Sequence, residues 1–261
     1  MSVHAAGSTP RFSPPFGTPP RAAVSPGALP VGAVLNHAAR LAMDAADARQ
    51  RTIAAVGACA RLIAARQRLT LALDGQQRIE QLMQLADGRE RARRLRPDER
   101  EALQPHLKAV WARAAQALGE WRDAGQHFTG VTHLLPTQLS HAVAQAPALT
   151  AQAWQALMQA QVREAGGGPS DEVDVALCRY MAAHRRCEEA QARARAARAA
   201  RGQAESGWRM GRGSLSGVAG ACLAELASVD TWLAAEARRA AARGALCALA
   251  GGLVWQLPLE R

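Results

Sequence analysis

Apolar residues recur every seven positions along the first long apolar stretch of the chain, and mostly small residues follow each of them by four positions. The first series is Val34, Leu41, Ala48, Ala55, Leu62 and Leu69. The second is Ala38, Ala45, Thr52, Cys59, Arg66 and Leu73. This heptad spacing is typical of a helix that packs lengthwise on another helix, as in a coiled coil. The sequence therefore predicts one long helix from Val31 to about Leu73, and we name these positions the seam.

The seam is a predicted partner-contact surface, because Ala at most of its positions lets two helix axes approach closely. A second stripe lies beside it, formed by Ile53, Val56, Ala60 and Ile63. Two partners fit this pattern. One is another helix of the same chain, and the last helix offers a matching stripe of Leu226, Val229 and Leu233. The other is a second copy of the chain.

Prolines, glycines and acidic residues divide the following part of the chain. Asp74-Gly75 either ends the first helix or only weakens it locally. The second alternative is open because helical spacing continues to Asp87-Gly88. Pro97 and the acids after it predict a helix start, and Pro105 restarts or kinks that helix. Residues 125–132 are predicted to be a loop. The buried core face of this helix is predicted to carry Leu107, Trp111, Leu118 and Trp121.

The glycines at 166–168 make the sharpest break between two helical segments. The helix after this break has an apolar face that ends at Cys187, although helix-forming residues continue to Arg201. Five glycines between residues 202 and 217 predict a loop. Trp208 lies among these glycines, which makes it a further candidate for partner contact. A last helix and an apolar C-terminal stretch follow.

Composition favours the same fold class. The chain has 261 residues, of which 61 are Ala and 31 are Arg, and only 4% are aromatic. Strands favour β-branched and aromatic residues, so β folds are disfavoured. The sequence predicts an all-α fold, an elongated helical bundle packed through Ala-rich seams. It has a disordered tail over residues 1–30, helices over 31–165, and a helical segment over 170–261 that belongs to the same bundle.

The N-terminal tail is rich in proline. Residues 1–30 hold seven of the thirteen prolines, four Ser and two Thr, and no acidic residue. Such a segment buries too little apolar surface to offset the entropy of ordering it, so we expect disorder. Its composition resembles that of the unstructured export segments of type III secretion substrates. The resemblance implies a bacterial secretion-associated component or substrate, and an ordinary disordered tail is the alternative.

The formal net charge of +10 is concentrated in the tail and around two arginine runs. The first run comprises Arg89, Arg91, Arg93, Arg94 and Arg96, and the second comprises Arg193, Arg195, Arg198 and Arg201. Both are candidate contacts for nucleic-acid phosphates or an anionic membrane surface. The first run has no interleaved aromatic residue for base stacking, and the second encircles its helix. We therefore favour solvated surface charge as the interpretation of both.

No set of residues has catalytic or metal-ligand spacing. His127, His133 and His141 are six and eight positions apart, which places no two of them on one helix face. Five cysteines without a CxxC pair indicate a reducing compartment. No signal peptide is evident, and the longest uncharged apolar stretch, Gly244 to Leu259, is shorter than a membrane span.

These observations together predict a cytoplasmic, non-enzymatic protein without cofactors or metals and without a transmembrane segment. We expect a helical interaction or scaffold protein that binds a protein partner, or a second copy, through its helix faces. Export by a route independent of a signal peptide is compatible with this expectation. The alternative function is a basic nucleic-acid-binding protein that uses residues 89–96 and 185–201. Binding to phosphates weakens steeply with salt, whereas contact through an Ala-rich seam does not.

Overall fold

The computed structural model describes residues 29–92, 97–140 and 171–249. Within these ranges the chain forms α1 Val31–Arg40, α2 Ala45–Arg91, α3 Pro97–Glu101, α4 Gln104–Thr132, a 3-10 helix Pro136–Gln138, α5 Asp171–Arg209 and α6 Leu215–Leu249. The described ranges contain no strand, and the predicted all-α class is confirmed. Tail residues 1–28, the arginines of the first run at 93, 94 and 96, and the apolar end at 250–261 lie outside the described residues.

Helix α2 is the spine of an elongated bundle. It has 47 residues, which corresponds to a length of about 70 Å. Helices α4 and α6 each pack along it, α5 packs along α6, and α1 folds back onto its first part. The buried surface of α2 is rich in alanine, with Ala55, Ala58, Ala64, Ala65, Ala72 and Ala86. Close packing through small side chains thus holds the bundle together.

The predicted single helix from Val31 to Leu73 is wrong, because the chain turns back at residues 41–44 and makes a hairpin of α1 and α2. Asp44 caps the start of α2, where its carboxylate accepts a hydrogen bond from the Asp47 N–H at 2.8 Å. This cap satisfies a backbone donor that a helix start otherwise leaves unpaired. The heptad pattern hides the turn because the spacing continues in phase on both sides of it.

The seam positions on the two sides of this turn pack on each other. Val34 of α1 lies in one apolar cluster with Cys59 and Leu62 of α2. Ala38 of α1 lies in a neighbouring cluster with Ala55 of α2. The C-terminal part of α4 joins the first of these clusters. This part of the seam therefore finds its partner within the same chain.

The last helix packs on α2 beside the seam. Gly244 of α6 lies against Val56, a member of the second predicted stripe, and Leu226 of α6 lies against Gly75. Gly75 is therefore a buried helix contact inside α2 and does not end the helix. The predicted apolar face of α6 is buried at Leu215, Val218, Cys222, Leu226 and Val229.

Helix α6 is also long and apolar enough to cross a membrane, judged by length and composition alone. Core helices of soluble proteins meet the same criterion. In this bundle it packs on α2 and α5. Its Glu225 and Asp230 pair with arginines of α2, α4 and α5. Of its most apolar 18-residue window, 44% is buried in the bundle.

The predicted loop at residues 125–132 is wrong, because these residues form the last turns of α4. Phe128 is fully buried there, and Gly125 faces the ring of Pro136. Burying a large apolar side chain contributes about 1.5–3 kcal/mol, which outweighs the cost of about 1 kcal/mol for a glycine inside a helix.

The predicted loop at residues 202–217 is also mostly helical. Helix α5 continues to Arg209 and α6 begins at Leu215, so only residues 210–214 link them. The apolar face of α5 likewise continues past Cys187, since Ala190 and Ala194 are buried. Packing against α6 thus extends α5 beyond the point that its own apolar pattern indicates.

Enlarging Ala55 should destabilise the α1–α2 hairpin. Ala55 is 0% exposed, and overpacking such a site typically costs about 1–3 kcal/mol, so we expect Ala55→Leu to lower the free energy of unfolding by that amount. Ala48 keeps part of its surface exposed, so Ala48→Leu should cost less. Ala54→Leu, on the exposed side of the same helix turn, is the control. Urea denaturation measures all three, and equal effects would show that α1 does not cover Ala55.

Candidate functional site

An open apolar groove of about 380 Å³ lies between α2 and α4. It is lined by Leu69, Leu73, Gln76, Trp111, Ala114, Ala115 and Leu118. The two helices approach closely here because Ala72 of α2 packs with Ala114 and Ala117 of α4. The larger side chains of Leu73 and Trp111 each remain 50% exposed. Adjacent exposed apolar residues of this size are typical of a binding surface.

The prediction that Trp111 belongs to the core is wrong, because half of its surface faces solvent. Its indole Nε1–H donates a hydrogen bond to Glu80 Oε1 at 3.1 Å, and the Gln76 amide donates to the same oxygen at 2.9 Å. These two hydrogen bonds, that from Gln76 first, hold the pKa of Glu80 below its usual value. The rim of the groove therefore carries a charged carboxylate beside an exposed indole. The other predicted core residues of α4, Leu107, Leu118 and Trp121, are partly buried.

An ionic cluster beside the groove fixes α4 and α6 on α2. Arg68 of α2 pairs with Asp230 of α6 through two hydrogen bonds of 2.5 and 3.0 Å, and with Glu120 of α4 at 2.6 Å. Arg113 of α4 reaches the same Asp230 at 3.2 Å. The hydrogen bond that Arg68 donates to Asp230 is the main cause that raises the pKa of Arg68. The helices that form the groove are thus tied together next to Leu69 by charge-assisted hydrogen bonds.

A second ionic cluster lies inside the bundle and contains half of the second arginine run. Glu225 of α6 is 1% exposed. Its carboxylate lies 2.5 Å from Arg201 Nε, 3.3 Å from Arg198 Nε and 3.7 Å from Arg78 Nη1. Arg201, itself buried, also pairs with Glu205. Burial lowers the pKa of Arg201, but the two carboxylates outweigh it and raise that pKa. The interpretation of Arg201 as solvated charge is therefore wrong, whereas Arg198 pairs with Glu225 and keeps 53% of its side chain exposed.

Two candidate residues from separate parts of the sequence contact each other. The guanidinium of Arg89 lies over the Trp208 ring, 4.3 Å from its centroid, which is a cation–π contact. Trp208 also packs against the main apolar cluster. This contact joins the end of α2 to the end of α5. The candidate arginines that are exposed in the described ranges are Arg91, Arg193, Arg195 and Arg198.

The predicted partner-contact residues of the seam divide into two groups. The buried group, covered by other helices of this chain, is Val34, Ala55 and Leu62. The group with exposed surface is Leu41, Ala48 and Leu69. Leu69 alone in the second group lines the groove. The structure thus places one end of the seam, Leu69 and Leu73, in the candidate site, and adds Trp111 of α4, whose exposure the sequence pattern does not indicate.

The four buried cysteines are poorly suited to chemistry at neutral pH, and a fifth, Cys178, is exposed. Burial raises the pKa of Cys59 and Cys187 to about 12, and that of Cys222 and Cys247 to about 11. A protonated thiol is a weak nucleophile. Among the described residues, no group of three His, Cys, Asp or Glu is arranged to hold a metal ion. Within this part of the chain, the groove is the feature with the chemistry of a binding site.

Comparison of the chain with protein families and with curated proteins finds no match. A solved structure of the outer-membrane channel OprN is similar, with a TM-score of 0.59 and 17% sequence identity. The match covers 85% of this chain and 70% of that chain. At this level of identity the similarity establishes the fold alone. The helical arrangement of this bundle is therefore one that an outer-membrane channel also contains.

Proposed function

We propose that this protein is a non-enzymatic helical scaffold that binds a partner protein through the groove between α2 and α4. The observation that carries the proposal is the pair of half-exposed side chains, Leu73 and Trp111, beside that groove. Apolar surface removed from water contributes roughly 25 cal/mol per Å², so a partner that covers them gains free energy. Trp is also among the residue types that contribute most at protein interfaces.

The groove suits a short apolar segment or one face of an amphipathic helix, because two neighbouring helices leave a long, shallow channel between them. The ionic cluster around Arg68 and Asp230 fixes the walls of the groove before a partner arrives. A fixed site loses little entropy on binding. The carboxylate of Glu80 at the rim favours a partner segment with a basic residue.

Two features support a place for this scaffold in bacterial secretion. The N-terminal tail resembles type III export segments in composition, and the fold is shared with an outer-membrane channel. We infer a protein that is held in the cytoplasm and exported, or that acts on exported proteins, by a route without a signal peptide. The groove then binds either a protein of the secretion apparatus or one of its substrates.

The alternative of nucleic-acid binding has fewer residues to support it. The charges of Arg198 and Arg201 face Glu225, and Arg89 lies over Trp208. Phosphate contact by these three residues requires them to leave those partners. The arginines of residues 89–96 and 185–201 that are exposed in the described ranges lie on two helices, at positions 91, 185, 186, 193, 195 and 198. They do not form one face of a helix.

A capture experiment with matched variants tests the proposed function. Wild-type protein and the double variant Leu73→Gln/Trp111→Gln serve as bait in extracts of the source cells. Met43→Gln is the control, since Met43 is 93% exposed and lies outside the groove. We expect partner proteins to be enriched by the wild type and the control. Their recovery should fall about tenfold or more with the double variant, because it removes two apolar anchors.

Two results would contradict the proposed function. One is a set of partners that the groove variant captures as well as the wild type. The other is material that nuclease destroys and that is released as salt rises, since that dependence indicates phosphate contacts. Circular dichroism of the bait variants shows whether the helices remain intact.

A further inference from the structure

The described chain begins beside the helix that forms the groove. The Leu29 N–H donates to the Gln138 carbonyl at 2.6 Å, and the Leu29 carbonyl accepts from the Ser140 N–H at 2.8 Å. Leu29 also packs on the apolar cluster that contains Phe128, close to the C-terminal end of α4. The 28 residues that precede Leu29 in the sequence are therefore joined to the bundle at a point next to α4.

The groove is within reach of those residues. Leu118 and Trp111 lie about four and six turns of straight helix away from the C-terminal end of α4, which is about 21 and 32 Å. A proline-rich segment extends by about 3.1 Å per residue. The 13 residues from Phe16 to Leu29 therefore span up to about 40 Å. This length exceeds the distance along α4, so a segment around Phe16 can reach the groove.

Residues 10–20, with the sequence PRFSPPFGTPP, have the composition that such a groove binds. They contain five prolines and two phenylalanines, Phe12 and Phe16. Proline-rich segments favour the polyproline II conformation, which is bound at low entropic cost by grooves that offer aromatic side chains. In this groove Trp111 is the aromatic residue, and the other apolar lining residues are Leu and Ala. The groove is made by helix side chains and offers no backbone hydrogen bonds. It therefore favours an occupant that does not need them. Arg11 also provides a basic group for Glu80 at the rim.

The size of the groove favours a short segment over a second copy of the chain. Seven residues line it, whereas a stable protein interface uses about 20–30 residues on each side. A tethered segment also has an effective concentration in the millimolar range. Even a weak intrinsic affinity is then enough for occupancy.

We propose that residues 10–20 of this chain bind in the groove between α2 and α4 and cover Leu73 and Trp111. This inference rests on the proposed function, because it identifies the occupant of the same groove when no partner is present. A partner must then displace the segment. Replacing Phe12 and Phe16 with Ser should increase partner capture severalfold over the wild type.

Photocrosslinking in the full chain tests this inference. The photoreactive residue p-benzoylphenylalanine is placed at position 16, or in a second protein at position 12, and at position 3 as a control outside the segment. Mass spectrometry should locate crosslinks from positions 16 and 12 within residues 69–76 or 111–118 of the same molecule. The yield should be independent of protein concentration. It should fall about fivefold or more in the Leu73→Gln/Trp111→Gln background, which removes the apolar anchors, and remain in the Met43→Gln background.

Several outcomes would overturn the inference. The first is that positions 12 and 16 both crosslink to other parts of the bundle, or that neither forms a crosslink. The second is that position 3 gives the same crosslink yield as positions 12 and 16. The third is crosslinks between two molecules, which indicate a second copy as the occupant. The test separates this inference from the proposed function. If crosslinks form in the groove but the groove variant captures partners as well as the wild type, the proposed function alone is contradicted. If the groove variant loses partner capture but no crosslinks form in the groove, the inference alone is contradicted.

Discussion

Glu225→Ala should lower the free energy of unfolding by about 3–5 kcal/mol, the cost typical of removing one partner of a buried ion pair. Glu225 is almost fully buried in the middle of α6, and Arg201 beside it is buried as well. Without this carboxylate, Arg201 is left with Glu205 as its neighbouring acid. Arg78, whose side chain is 14% exposed, then faces the same space as Arg201, so like charges meet in a region with little water. Urea denaturation followed by circular dichroism measures the loss.

Two matched variants separate the loss of the charge from the loss of side-chain volume. Glu225→Leu combined with Arg201→Met replaces the pair with apolar residues of similar size, and such replacements are often neutral or stabilising. We therefore expect the double variant to be clearly more stable than Glu225→Ala. Glu188→Ala, at an exposed side chain on α5, should change stability by less than about 0.5 kcal/mol. A loss of under about 1 kcal/mol for Glu225→Ala would show that water solvates this carboxylate in the folded protein.

Periodicity predicted which faces of the helices are buried, but it did not predict which helices cover them. The stripe of α6 from Leu215 to Val229 is buried as its spacing indicates. The seam is also buried through much of its length, yet its partner is α1, which the same pattern had joined to α2 as one helix. A heptad repeat shows which side of a helix is apolar, but it does not show whether the chain reverses direction. The repeat is therefore the same for one straight helix and for a helical hairpin whose two helices are in phase. The local signal of the turn was Asp44, a residue type favoured as a helix cap.

Glycine was the least reliable guide to the ends of the helices. In many chains it marks a turn, and residues 125–132 and 202–217 were assigned to loops for that reason. Here Gly75 and Gly244 lie in the middle of long helices, each opposite a branched side chain of a partner helix. A bundle packed through Ala uses Gly where two axes come closest. The sequence alone does not distinguish a glycine needed for close approach from one needed for a turn.

The candidate site and the buried charges were the hardest features to predict, since both depend on contacts distant in sequence. The stripe on α4 places Trp111 with the core residues, but no described helix covers its outer side. Arg201 and Glu225 are 24 positions apart in different helices, so nothing local distinguishes them from surface charges. With Arg so abundant in this chain, a buried arginine has the same sequence context as a solvated one.

Gly244→Val should lower the free energy of unfolding by about 3 kcal/mol or more, at or above the upper end of the usual cost of overpacking. A Cβ atom at Gly244 would lie 2.1 Å from Val56 Cγ1 and 2.9 Å from Val56 Cβ. Valine has one strongly preferred rotamer in a helix, so Val56 cannot easily turn away. The helices α2 and α6 must then separate, and that separation weakens the contacts along both.

A glycine in open space and a smaller residue at position 56 provide the controls for this prediction. Nothing lies within 4 Å of a Cβ placed at Gly202 in α5, so Gly202→Val should change stability by less than about 0.5 kcal/mol, the difference in helix propensity. A Val56→Ala background removes the contacts with Cγ1 and Cγ2 and leaves the one with Cβ. Gly244→Val should therefore cost at least about 1 kcal/mol less there, as expected of residues in direct contact. If Gly244→Val is as mild as Gly202→Val, α6 does not approach α2 at this point. The register of these helices, which also sets Leu226 on Gly75 and Asp230 on Arg68, would then have to be revised.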